Sequence, residues 1–139
     1  MNTVLAISAS GITSCGVSRL ILQRLDMEVV LNATLAGGVA IGTSSDLTVT
    51  GGTAMAIGAL SGIVSALGFL KLNEFLQRKI NLHDTCGVHN LHGIPGIMGA
   101  IFGAISVSAS EDAFNSQTEI ESTFSNVKDG ETVSYQATI

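Results

Sequence analysis

The sequence has no tryptophan, one tyrosine, one proline and two cysteines among its 139 residues. Cys15 and Cys86 alone cannot build the disulfide framework of a small secreted domain. Charge is scarce too: Asp, Glu, Lys and Arg make up 12%, about half the share of an ordinary globular chain. Six basic against eleven acidic residues leave a net charge of −5, which excludes the electrostatic footprint of a nucleic-acid binder. What is present is apolar or small. Mean hydropathy is +0.49 despite a polar C-terminal stretch, and 16 residues are glycine. So apolar a composition excludes disorder for everything before that stretch.

The charges divide the chain into four uncharged runs, 1–18, 29–45, 47–70 and 85–110, and a charged tail. These runs of 18, 17, 24 and 26 residues compare with the ~20 a helix needs to cross ~30 Å of hydrocarbon. The first lengthens through Leu20, Ile21 and Leu22 if Arg19 snorkels to the headgroups. It has no basic stretch ahead of its apolar part, so it does not read as a signal peptide. Arg19 and Arg24 fall between runs one and two, and Lys71, Arg78 and Lys79 between runs three and four. The turn around Asp46 carries no basic residue, so five of the six basic residues fall on one side of a four-span serpentine. This is the positive-inside pattern. It predicts both basic loops in the cytoplasm and residues 111–139 outside.

That tail holds six acids and one lysine among Ser, Thr, Asn and Gln, and is expected to be solvated and disordered. Asn32-Ala33-Thr34 is the single glycosylation sequon, at the cytoplasmic start of run two. It is expected to stay unmodified, and a glycan found on Asn32 by mass spectrometry would reverse this topology.

Small residues recur every four positions: Gly38 and Gly42 in run two, Ala54, Gly58, Gly62 and Ala66 in run three, Gly99 and Gly103 in run four. Each set lines one helix face and predicts close helix packing in lipid. Run three has no polar group beyond hydroxyls and reads as structural.

One stretch is chemically dense. His83, Asp84, Cys86, His89, His92 and Pro95 lie within 14 residues. His83, Cys86, His89 and His92 are spaced by three, and on a helix such groups spiral instead of converging, which argues against a metal site. The ordinary reading of His83 and His89 is a hydrogen-bonded core histidine. His92 differs by position, eight residues beyond Asp84 and so ~12 Å into the membrane if the helix starts there. An ionisable residue at that depth marks a functional site by default. Pro95 cannot donate to Leu91 and is expected to kink the helix. Asp84 needs donors, which helix N-terminal N–H groups and Thr85 can supply.

The segment Asp84-Thr85-Cys86-Gly87-Val88-His89-Asn90-Leu91-His92-Gly93-Ile94-Pro95-Gly96 resembles the signature of the Rhesus (Rh) branch of the ammonium transporter family. Asn32 through Gly42, reading NATLAGGVAIG, is similar to a second family motif, and the likeness covers residues 2–109. The resemblance implies an all-α membrane protein, trimeric, with two inverted repeats of an eleven- or twelve-helix fold and an ammonia pore in each subunit, with carbon dioxide a further proposed substrate. It implies that His92 is the second of two pore histidines and that Asp84 supports the pore. It also implies no cofactor.

Four spans correspond to most of the second repeat. The chain is thus expected to be a fragment: residues 1–110 a partial transmembrane domain, 111–139 a tail, the first repeat and last helix absent. On this reading it is an Rh-type ammonia channel component of the plasma membrane, no enzyme, and inactive alone. The alternatives are a non-transporting helical scaffold that packs through its glycine faces, and a zinc-binding four-helix protein.

Overall fold

The structure, a computed structural model, describes residues 1–45 and 49–109; Asp46 and the acidic tail lie outside the described residues. Helix α1 spans Asn2–Leu22 and α2 spans Met27–Ile41, followed by a single tight turn at Gly42–Ser44. Helix α3 spans Gly51–Leu67, passes through a wide π-turn at Gly68–Leu72 and continues as α4, Asn73–Ile80. A second π-turn at His89–Gly93 leads into α5, Ile94–Ala109.

The helix starts follow local chemistry. Asp26 accepts from the backbone N–H of Glu28 and Val29, and Thr50 from that of Thr53, so orphan donors of the first turns are paired. Gln23 and Asn81 close α1 and α4 in the left-handed conformation, their N–H groups returning to Arg19 and Leu76.

Three helical stretches, Asn2–Leu22, Met27–Ser44 and Gly51–Ile80, are long and apolar enough to cross a membrane. The fourth run forms the continuous helix of the second π-turn and α5. Helices α1 and α3 are parallel, with Ala6 against Gly58 and Ser10 against Gly62. Helix α2 is antiparallel to them. Helix α5 runs with α2, placing Gly99 against Ala40 and Gly103 against Thr43. Because α1 and α3 are parallel, Arg19, Arg24, Lys71, Arg78 and Lys79 all lie at one end of the bundle. At the other end, the Asn2 amide donates to the carbonyls of Ser45 and Val49 and ties α1 to the α2–α3 connection.

The distribution of residue sizes is the reverse of a water-soluble core. Buried positions are mostly small, Ala6, Ala9, Ala33, Ala36, Ala40, Ala54 and Ala66 with Ser10, Ser14, Ser18, Ser61 and Ser65, joined by the larger Val29, Ile41 and Ile57, whereas Ile12, Leu20, Leu31, Leu60, Ile97 and Ile101 point outward. Large aliphatics outside and small residues inside suit a hydrocarbon solvent, where helix association comes from close packing and not from hiding apolar area. The buried hydroxyls reach across helices: Ser10 donates to Ala33 O at 2.6 Å, Ser61 to Ala36 O at 2.8 Å and Thr13 to Ala59 O at 3.1 Å. Each bond of this kind contributes ~0.6 kcal/mol in lipid.

Two expectations change here. The connection carrying Lys71, Arg78 and Lys79 is helical as far as Ile80, since no glycine or proline interrupts the chain between Gly68 and Gly87. The 30-residue rod Gly51–Ile80 is ~45 Å long, against ~30 Å of hydrocarbon, so α4 extends beyond it with none of its residues buried. The glycine pair of α2 is also different. Gly42 has nothing within 4 Å of an added Cβ, and Gly38 meets only the flexible Ile7 side chain at 3.2 Å. The close contact belongs to Gly37, whose Cβ would lie 2.5 Å from Ser10 Cβ and 2.8 Å from Ala6 O.

Candidate functional site

The site is built where the fourth run begins. Residues 84–87 form a turn closed by the Gly87 N–H on Asp84 O, 3.2 Å, and Gly87 has φ +64°. An added Cβ there would also meet the Phe69 ring, so the turn admits glycine for two independent reasons. Asp84 Oδ1 accepts from the Val88 N–H at 3.0 Å and Oδ2 from the His89 N–H at 2.7 Å. The carboxylate therefore caps the helix, with the helix dipole adding a favourable interaction. Thr85 takes no part: its hydroxyl faces Cys86 Sγ at 3.9 Å.

The helix begins with a wide turn instead of an α-turn. The Ile94 N–H goes to His89 O, five residues back. Pro95 has no N–H to continue this register, so the carbonyl of Asn90 has neither Ile94 nor Pro95 as donor. Ser65 Oγ on α3 supplies the missing bond at 2.9 Å. The kink expected from Pro95 is thus a π-turn stitched to α3.

Asn90 is fully buried. Its Nδ2 donates to Asn73 Oδ1 at 2.8 Å, and its Oδ1 has no hydrogen-bond partner among the described residues. That oxygen lies against Gly68, where an added Cβ would collide with it. Gly68 and Asn73 are the two ends of the π-turn in the α3–α4 rod, joined by the Asn73 N–H on Gly68 O. One side-chain amide therefore lies across the mouth of the other wide turn.

The histidines face the opposite way. His89 and His92 are exposed in this chain, as are Gly93 and Gly96, and nothing lies within 4 Å of a Cβ on Gly96. Ile97, Ile101 and Ile105 continue the open face along α5. The core reading of His89 does not hold, because His89 shares this face with His92. His83 is exposed as well, with its Nδ1 3.2 Å from Asn81 O. Among the described residues no group of three His, Cys, Asp or Glu gathers in a way that could hold a metal.

Depth follows from the bond to Ser65. Ser65 lies six residues inward of Lys71 on a continuous helix, ~9 Å, and His92 lies a further two residues in, ~3 Å. The helix starts at Val88 and not at Asp84, yet His92 still sits ~12 Å inside the level of Lys71.

The sequence profile of the Ammonium Transporter Family matches residues 1–138. The chain belongs to that family. The match continues past residue 109, where the visible resemblance stops. Among relatives, the chain is 46% identical over 112 residues to the ammonium transporter Rh type C of Rattus norvegicus, covering 79% of this chain and 22% of that one. It is 41% identical over 133 residues to the Rh type B transporter of Oryzias latipes, covering 94% and 28%. The solved structure of Nitrosomonas europaea Rh50, described as one of the Rhesus family of channels, superposes with a TM-score of 0.69 at 34% identity, over 84% of this chain and 29% of that one. These matches place the chain in the Rh branch and make it a multi-pass membrane protein. It spans about a quarter of the length of the relatives it matches.

Proposed function

We propose that this chain forms one wall of an ammonia-conducting pore, with His92 as the hydrogen-bonding group on that wall and Asp84 as the cap that holds its helix. The observation that carries this reading is His92 itself: an ionisable side chain ~12 Å inside the level of Lys71, on a face left open by Gly93 and Gly96. A pore lowers the cost of moving a small polar molecule by offering hydrogen bonds inside an apolar bore. Ammonium sheds its proton before crossing, since a bare cation is costly there, and ammonia exchanges water for the imidazole. Carbon dioxide is the second candidate substrate. The basic end faces the cytoplasm, and the working form is a homotrimer in the plasma membrane. The facing wall comes from helices that cover the open face, so the chain alone does not conduct.

Ammonia flux into liposomes containing only this chain is expected to match empty vesicles; a flux well above them overturns the requirement for a second wall. In the complete transporter that carries this segment, His92→Ala should change permeability or selectivity per surface trimer while trimer abundance survives. His89→Ala, at the very start of the helix, should change flux per trimer less than His92→Ala does. Unaltered permeability and selectivity per trimer in His92→Ala would remove the assignment.

A further inference from the structure

We propose that Asn90 is a positioning residue: its buried amide, laid across the Gly68–Asn73 turn of the α3–α4 rod, fixes the rotation of the His89–Gly93 turn and so aims His92 at the open face. The inference rests on the reading of His92 as the pore-side group, but the geometry it asserts can be measured without transport.

The His89–Gly93 turn is held from both sides. On the α5 side, a Cβ added to Gly99 would lie 3.2 Å from Ala40 O, and Thr43 Oγ1 donates to Gly99 O at 2.7 Å. On the other side stand Asn90 Nδ2 to Asn73 Oδ1 and Ser65 Oγ to Asn90 O. A π-turn holds one residue more than an α-turn. Were it to relax to α geometry with α5 fixed, every residue before it would rotate by ~100°. Asn90 would then leave its slot, and His92, which lies inside the turn, would rotate by a part of that angle. The Asn90 contacts exist only in the π register. A fully buried amide with one unpaired acceptor is costly in an apolar layer, and a leucine would fill the slot without that cost. The amide differs from leucine in one respect relevant here: it recognises the two ends of a π-turn together, Gly68 by shape and Asn73 by hydrogen bond.

The test uses the whole 139-residue chain in lipid nanodiscs. Asn73→Leu removes the acceptor, and Asn73→Asp restores an oxygen in the same place. The readout is the rate at which diethylpyrocarbonate modifies His92 relative to a histidine-containing peptide added to the same sample, because His83 lines one cavity with Asn73 and is no independent reference. Asn73→Leu should change this ratio by about threefold or more, the scale of one lost interhelical hydrogen bond in lipid. Asn73→Asp should return it to the wild-type value. Ser65→Ala, which deletes only a hydroxyl, should move the ratio in the same direction and covers the case in which Asn73→Leu fails to insert. An unchanged ratio in a variant of wild-type helicity overturns the positioning role, as does a changed ratio that Asn73→Asp does not restore. The flux result for His92→Ala judges the pore assignment separately and leaves this ratio untouched.

Discussion

Replacing Gly58 by alanine should prevent the helices from assembling, the largest loss expected from adding a single methyl group to this chain. Its Cβ would lie inside the backbone of Ala6, meeting the carbonyl oxygen, carbonyl carbon and Cα together. None of these is the end of a flexible side chain, so α1 has to move away from α3. That movement also opens the close approach of Gly62 to Ser10, where an added Cβ would lie 2.6 Å from Ser10 O, and stretches the Thr13 bond to Ala59 O. Overpacking ordinarily costs about 1–3 kcal/mol, and a clash with backbone belongs at or above the top of that range. Gly42→Ala is the control. Nothing lies within 4 Å of its added Cβ, so within this chain it should be neutral or gain up to ~1 kcal/mol from the lower helix cost of alanine. Recovery of monodisperse, helical protein in detergent and its thermal midpoint measure both variants. A Gly58→Ala chain as stable as Gly42→Ala would show that the α1–α3 contact does not hold the bundle.

The contrast between those two glycines marks how far the sequence could be read. A four-residue spacing of small residues identifies a helix face that can be approached, and Gly58, Gly62, Gly99 and Gly103 do meet neighbouring helices closely. Spacing alone leaves open the rotation of the helix, so of the neighbours Gly37 and Gly38 it is Gly37 that meets Ser10. The spans and their common basic end were legible because charge is nearly absent from the hydrocarbon layer and the few basic residues are clustered. The capping of Asp84 was legible as well, since a carboxylate just ahead of an apolar helix has few other donors within reach.

The wide turns were not legible. A π-turn arises from tertiary contacts, here Asn90 against Gly68 and Ser65 on the carbonyl that Pro95 leaves unpaired, and no periodicity announces it. One signal was present. Asn90 is an amide inside an uncharged run, five residues before a proline, and such a group in an apolar layer needs a partner. The reading of His89 as a core residue failed for another reason: residues three apart are neighbours on a helix surface, so His89 lies on the same exposed face as His92.

Asp84 carries the second large expectation. Its two oxygens pair the N–H groups of Val88 and His89, the first donors of the helix that bears His92. Asp84→Ala leaves both without a protein partner. Both bonds lie on the exposed side, where water can reach them, so the cost should be near that of a lost N-cap, about 1–2 kcal/mol, and below that of orphaned groups in dry hydrocarbon. Asp84→Asn retains one oxygen to accept but loses the second bond and the charge, so it should fall between wild type and alanine, short of wild type by more than the ~0.3–1 kcal/mol of the dipole interaction alone. Thermal unfolding in detergent should therefore rank wild type above asparagine above alanine. In the complete transporter the surface abundance of trimers should follow that rank, while flux per trimer in Asp84→Asn stays close to wild type. The opposite split, full abundance with flux per trimer lost in Asp84→Asn, would mean that the carboxylate meets the permeating cation directly, and the capping role would have to be given up.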